Sequence, residues 1–111
     1  MEGTLQELLK ELKDALLGIY GQDLRGVYLY GSYARRQEDP ESDVDVLIVL
    51  KDYSDFWEEV QRTSQLISDL SLKYNVTVSP VHVREADWLA GESPFFRNVQ
   101  REARSYLEKH P

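Results

Sequence analysis

The chain has 111 residues and carries 13 Lys and Arg against 20 Asp and Glu, a formal net charge of −7. That length is one domain, residues 1–111, able to bury a core of its own, and the acidic balance argues against long nucleic acid as the main partner, because a phosphate backbone is met by basic patches. The absence of cysteine excludes a disulfide framework and a thiolate metal site. Nucleotides stay open, since a divalent cation can neutralise carboxylates and a triphosphate together. No apolar run approaches the ~20 residues of a membrane span, and Met1-Glu2-Gly3-Thr4 lacks the basic region and apolar core of a signal peptide. A cytoplasmic location is expected.

Thr4-Leu5-Gln6-Glu7 has the form of a capping box. Leu5, Leu8, Leu9, Leu12, Leu16 and Ile19 follow at helical spacing, and Gly21 is the expected stop. Val27-Tyr28-Leu29-Tyr30 is β-branched and aromatic between glycines, and reads as a strand. Ser32 to Arg36 is expected as one or two helical turns with Ser32 at the start. Gln37-Glu38-Asp39-Pro40-Glu41-Ser42 is a polar loop. Asp43 to Leu50 is a second strand, apolar without interruption after Asp45, as for a strand buried on both faces.

A second helix is expected from Ser54, the candidate cap, to Asn75, with Phe56, Val60, Ile67, Leu70 and Tyr74 on its buried side. Val76 to Val83 is a third strand, and Pro80, lacking an N–H, gives it edge character. Glu85 to Leu89 reads as a short helix ended by Gly91. Ser93-Pro94 opens a last helix with Ser at the cap and Pro at its first position; Phe95, Phe96, Val99, Ala103 and Tyr106 or Leu107 form its stripe. The order predicts an α/β domain, a mixed three- to four-stranded sheet with helices packed on it.

Asp43 and Asp45 are two apart on a strand, so both side chains leave one face. Two neighbouring carboxylates repel unless a cation sits between them, and Mg²⁺ is commonly held by one or two carboxylates plus substrate phosphates. The plain alternative is a solvated strand end with two surface aspartates. Gly31 allows positive φ and close approach of a ligand to the backbone. Ser32 at a helix start presents a hydroxyl and N–H groups suited to an anion; its plain alternative is a turn with an N-cap. Together the two motifs favour a Mg²⁺–triphosphate site. Arg35 and Arg36 could reach phosphate or remain solvated.

Gly31-Ser32, ten residues, then Asp43-Val44-Asp45 resembles the signature of the polymerase-β-like nucleotidyltransferase superfamily. The local form Gly31-Ser32-Tyr33-Ala34-Arg35 followed by Ser42-Asp43-Val44-Asp45-Val46-Leu47-Ile48-Val49 looks most like its minimal nucleotidyltransferases (MNT), small single domains often paired with a HEPN-domain partner in toxin–antitoxin systems. Pro94 to Glu102 is similar to the closing segment of such domains. The resemblance implies that Gly31 and Ser32 bind nucleotide phosphates, with Arg35 and Arg36 nearby. It implies that Asp43 and Asp45 ligate Mg²⁺ as the catalytic pair. The implied activity is transfer of a nucleotidyl group, AMP from ATP, to a protein hydroxyl, with a HEPN protein as partner. Two departures stand out. The third carboxylate of the family falls on Ser79, or on Thr77 if the register slips, with Glu85 and Asp87 just beyond as substitutes; His82, also near, reads as structural. Arg36 replaces the usual Gly after Ala-Arg. The alternative reading is therefore a degenerate nucleotidyltransferase that binds nucleotide or a partner without efficient catalysis. An unrelated α/β domain with a chance motif is a third.

Overall fold

The computed structural model describes residues 2–39 and 41–108, so Pro40 of the predicted polar loop lies outside the described residues. Helix α1 runs Glu2–Tyr20 and a 3-10 turn, Gly21–Asp23, leads into β1, Leu24–Tyr30. Strand β2 is Val44–Leu50, helix α2 Phe56–Tyr74 and strand β3 Val78–Arg84. Helices α3, Glu85–Ala90, and α4, Pro94–Glu102, precede strand β4, Arg104–Glu108. The four strands form one mixed sheet in the order β3-β2-β1-β4. β1 pairs antiparallel with β2 and β4, whereas β2 and β3 are parallel and joined through α2. Among the described residues no helix is long and apolar enough to cross a membrane.

The strand period of two divides the core. Val27, Leu29, Val44, Val46, Ile48 and Leu50 pack under Leu5, Leu8, Leu9, Leu12 and Leu16 of α1 and Leu70 of α2. Their neighbours Tyr28, Leu47, Val49 and Val83 point the other way, onto Trp88 and Val99. β2 is therefore buried on both faces beyond Asp45, as its sequence predicts. β3 is an edge strand, which accommodates Pro80.

Helix ends follow the sequence where a special backbone is required. Gly21, Asn75 and Gly91 each take positive φ just past a helix. The Ser93 hydroxyl accepts from the Phe96 N–H at 3.0 Å, with Pro94 behind it.

Several expectations are corrected. α1 already includes Glu2, so Thr4 is an interior helical residue and not a cap. Ile19 is exposed and not part of the core. Ser32 to Arg36 is a turn and not a helix, closed by Arg35 N–H to Gly31 O (3.1 Å) and Gln37 N–H to Ser32 O (2.8 Å). The α2 cap is Asp55, whose carboxylate accepts from the Trp57 N–H at 2.9 Å, and not Ser54. Phe56 is exposed, while Glu59 and Thr63 are buried. They are held by Tyr20 Oη to Glu59 (2.9 Å) and by Thr63 Oγ1 against His82 Nε2 (3.1 Å). The last helix stops at Glu102, and Tyr106 and Leu107 lie in β4.

Candidate active site

The end of β1 and the start of β2 lie side by side, with Tyr30 opposite Asp45. Gly31 follows with φ +76°, and a Cβ built on it would overlap Asp45 Oδ2. Glycine is thus required twice, by the left-handed backbone and by the carboxylate seated against it. The sequence leads one to expect a ligand approaching the Gly31 backbone; the group packed against it in the structure is the Asp45 carboxylate.

On the other side of β2, Asp45 is in register with Ser79 of β3. Ser79 Oγ lies 3.4 Å from Asp43 Oδ2. The register is not slipped: Thr77 precedes β3 and is exposed, and its carbonyl accepts the Val44 N–H at 2.8 Å. Asp43, Asp45 and Ser79 therefore share the sheet face that α1 and α2 leave open. Asp43 is exposed just before β2, and Asp45 is half-buried in its first turn of pleat.

The electrostatics match this crowding. Burial, then the Asp43 charge, push the Asp45 carboxyl above its ordinary value; Arg35 pulls it back, and Glu102 adds to the rise. The Tyr30 hydroxyl is pushed up to about 12 by burial and by the Asp45 and Glu102 charges. Its ring meets Phe95 edge-on at 5.7 Å.

Glu102, the last residue of α4, carries no site signal in the sequence reading, yet it closes one side of the site. Its Oε1 accepts from the Gly31 N–H at 3.0 Å. Arg35 Nη1 donates to Oε1 at 3.1 Å and to Oε2 at 3.0 Å, and Arg35 Nε to Gln37 at 3.1 Å. Ser32 is half-buried in the turn, and Arg36 is exposed with φ +57°. The position where the family carries Gly thus keeps a glycine-like backbone while holding Arg.

The candidate substitutes for the third carboxylate lie elsewhere. Glu85 is six residues beyond Ser79, roughly 20 Å along a strand, and pairs with Arg25 Nε at 3.7 Å near the start of β1. Asp87 follows it in α3. His82 is buried against α2 on the opposite face, where burial lowers its pKa, in keeping with a structural role. Among the described residues no three His, Cys, Asp or Glu side chains gather as a metal cluster. The carboxylates gathered at this end of the sheet are those of Asp43, Asp45 and Glu102, and Ser79 stands in register with Asp45.

Comparison with known proteins agrees with this fold. The sequence model of the polymerase beta nucleotidyltransferases matches residues 8–92. A relative named as a protein adenylyltransferase, MJ0141 of Methanocaldococcus jannaschii, is 43% identical over 75 residues, covering 68% of this chain and 75% of its own length. A solved toxin–antitoxin structure with AMP-PNP superimposes with TM-score 0.63 at 20% identity, over 91% of this chain and 73% of the other. A tri-AMPylated Shewanella oneidensis HEPN toxin in complex with MNT antitoxin gives TM-score 0.58 at 18% identity, over 97% of this chain and 72% of the other. At such identities the structural likeness speaks for the fold, and the sequence match speaks for descent: the chain belongs to the polymerase beta nucleotidyltransferase family.

Proposed function

We propose that this nucleotidyltransferase is Mg²⁺-dependent, binds a nucleoside triphosphate, ATP by preference, and transfers AMP to a protein hydroxyl as the antitoxin partner of a HEPN-type protein. The observation that carries the reading is the Gly31 turn lying directly against Asp45, with Arg35 beside both. In this reading a phosphate-binding turn and an acidic pair, apart in sequence, meet at the junction of β1 and β2.

The donor set fits a hard dication. Two carboxylate residues stand close enough that one raises the pKa of the other, a repulsion a cation relieves. Asp43 and Asp45 would hold the ion, which supplies charge neutralisation and a lower pKa for the attacking hydroxyl. Gly31 and Ser32 receive the phosphates through the backbone N–H groups of the turn and the Ser32 hydroxyl. Arg35 and Arg36 contribute guanidinium charge from the same turn. Support for the acceptor and partner comes from the relative named as a protein adenylyltransferase and from the AMPylated HEPN toxin held by a structural neighbour.

A second reading has its own observation. Ser79 offers a hydroxyl where a third carboxylate would serve as metal ligand or base, and a hydroxyl is weak in both roles. In that reading the chain binds nucleotide and partner with little turnover. The deciding experiment incubates the protein and its co-purified partner with labelled ATP and Mg²⁺, wild type against Asp43→Asn/Asp45→Asn. Label on the partner that vanishes in the double variant supports transfer. Nucleotide binding that needs both aspartates, without label, supports the binding module. Nucleotide binding indifferent to the aspartates defeats both.

A further inference from the structure

The donors assigned above to the substrate phosphates already hold an anion, the side chain of Glu102. One oxygen takes the Gly31 N–H at 3.0 Å, and both take Arg35 Nη1 at 3.0 and 3.1 Å. We propose that the Glu102 carboxylate is an internal stand-in for phosphate, which occupies the Gly31 and Arg35 donors in the free protein and leaves them when a nucleoside triphosphate enters. This rests on the nucleotide-site reading and adds its regulation.

Three features point to displacement and not to permanent bracing. A residue that only orients Arg35 has no need of the Gly31 N–H, yet Glu102 consumes both. The pair is partly open to water, with Glu102 26% and Arg35 44% exposed, and exposed ion pairs break at little cost. Glu102 also places its negative charge on the Gly31 N–H, in the backbone that lies directly against Asp45 Oδ2. A carboxylate and a phosphate cannot share one N–H and one guanidinium, so one must go. Glu102 ends α4, and the chain enters β4 two residues later, so a rotamer change at the helix terminus frees the donors without unpacking the buried Val99 one turn earlier.

The contact also sets selectivity. A tethered carboxylate competes at high effective concentration, which suppresses single phosphates that offer nothing else. A triphosphate carrying a divalent ion gains the Asp43–Asp45 contacts as well and wins.

The test measures binding of inorganic tripolyphosphate without metal, and of Mg²⁺–ATP, by calorimetry to the wild type, Glu102→Gln and Glu102→Ala. Glu92→Gln makes the same charge change before the first turn of α4, at the opposite end of the helix. Both Glu102 variants are expected to bind each ligand about tenfold tighter, the scale of one partly exposed ion pair and one charge-assisted hydrogen bond. Glu92→Gln should stay within about twofold, because screening is strong over a helix length. In Arg35→Ala the gain from Glu102→Gln should shrink, since half of the competed donor set is gone. Mg²⁺–ATP binding that needs Asp43 and Asp45 but is unchanged or weakened in the Glu102 variants overturns this proposal alone. Binding that ignores the aspartates overturns the site reading and this proposal with it.

Discussion

On the α1 and α2 side of the sheet, five leucines of one helix close over alternate residues of β1 and β2, and nearly every side chain in that layer is fully buried. On the other side, α3 and α4 cover the middle of the sheet through Trp88 and Val99. They leave the junction of β1 and β2 to Asp43, Asp45, Ser79, Arg35 and Glu102. The same strand serves both: Val44, Val46 and Ile48 face the leucines while Asp45 faces the opposite side. Burial is concentrated on the closed face, and carboxylate repulsion is tolerated on the face that holds the proposed site. The difference implies that the two faces can be broken separately.

The largest effect should come from the closed face. Leu12 is fully buried in α1, and Leu12→Ala is expected to cost about 2–5 kcal/mol through lost transfer energy and an unfilled cavity. Urea unfolding measures it. The folded fraction should bind Mg²⁺–ATP as the wild type does. A parallel loss of affinity would show that the faces are coupled.

The open face should respond in the opposite sense. Asp43→Asn/Asp45→Asn is expected to abolish Mg²⁺-dependent nucleotide binding while metal-free stability holds or rises at neutral pH. The folded protein keeps the Asp45 proton to higher pH than the unfolded chain does, because burial and Asp43 raise its pKa. More protons are bound in the folded state, so this residue subtracts stability as pH rises above the ordinary aspartate value. Melting curves of wild type and Asp45→Asn should converge as pH falls toward that value and separate above it, the variant being the more stable. Curves that run parallel at every pH would remove Asp45 as a source of repulsion.

Ser79→Asp sharpens the same contrast. It adds a third carboxylate opposite Asp45 and within reach of Asp43. Without metal it should lower the melting temperature. With Mg²⁺ it should speed transfer to the partner by roughly ten- to a hundredfold, part of the ~10²–10⁴ available to a general base. Fast wild-type transfer that this change does not improve would mean that another group fills the role. Glu85 and Asp87, at the far end of β3, are not placed to do so.

What the sequence discloses and what it hides divide along physical lines. Local signals suffice for α1, the Asn75 and Gly91 stops, the Ser93-Pro94 start of α4, and the Gly31 and Asp43–Asp45 motifs. Each of these depends on residues within a few positions of one another. β4 was hidden because Ala103, Tyr106 and Leu107 continue the helical spacing of α4; pairing with β1 overrides that pattern. The burial of Glu59 and Thr63 was hidden because their partners, Tyr20 and His82, are remote in sequence. Glu102 is the extreme case: it reaches Gly31 across 71 residues, and nothing within α4 announces its partner.

The smallest expected effect concerns Arg36, where backbone and side chain conflict. Its φ of +57° is left-handed, a conformation that costs an ordinary residue ~1–2 kcal/mol. Arg36→Gly removes that strain but gives the unfolded chain more freedom, which takes back ~0.4–1 kcal/mol. The net gain should be no more than about 1.6 kcal/mol, read as a small rise in melting temperature. The same variant tests why Arg is kept at a strained position. If Arg36 adds guanidinium charge to the phosphate site, Mg²⁺–ATP should bind about threefold more weakly, on the scale of one exposed ion pair. Arg35→Ala should lose more, because Arg35 lies against the Gly31 turn through Glu102. A gain in stability with no change in affinity would remove Arg36 from the phosphate site and leave Arg35 as its cation.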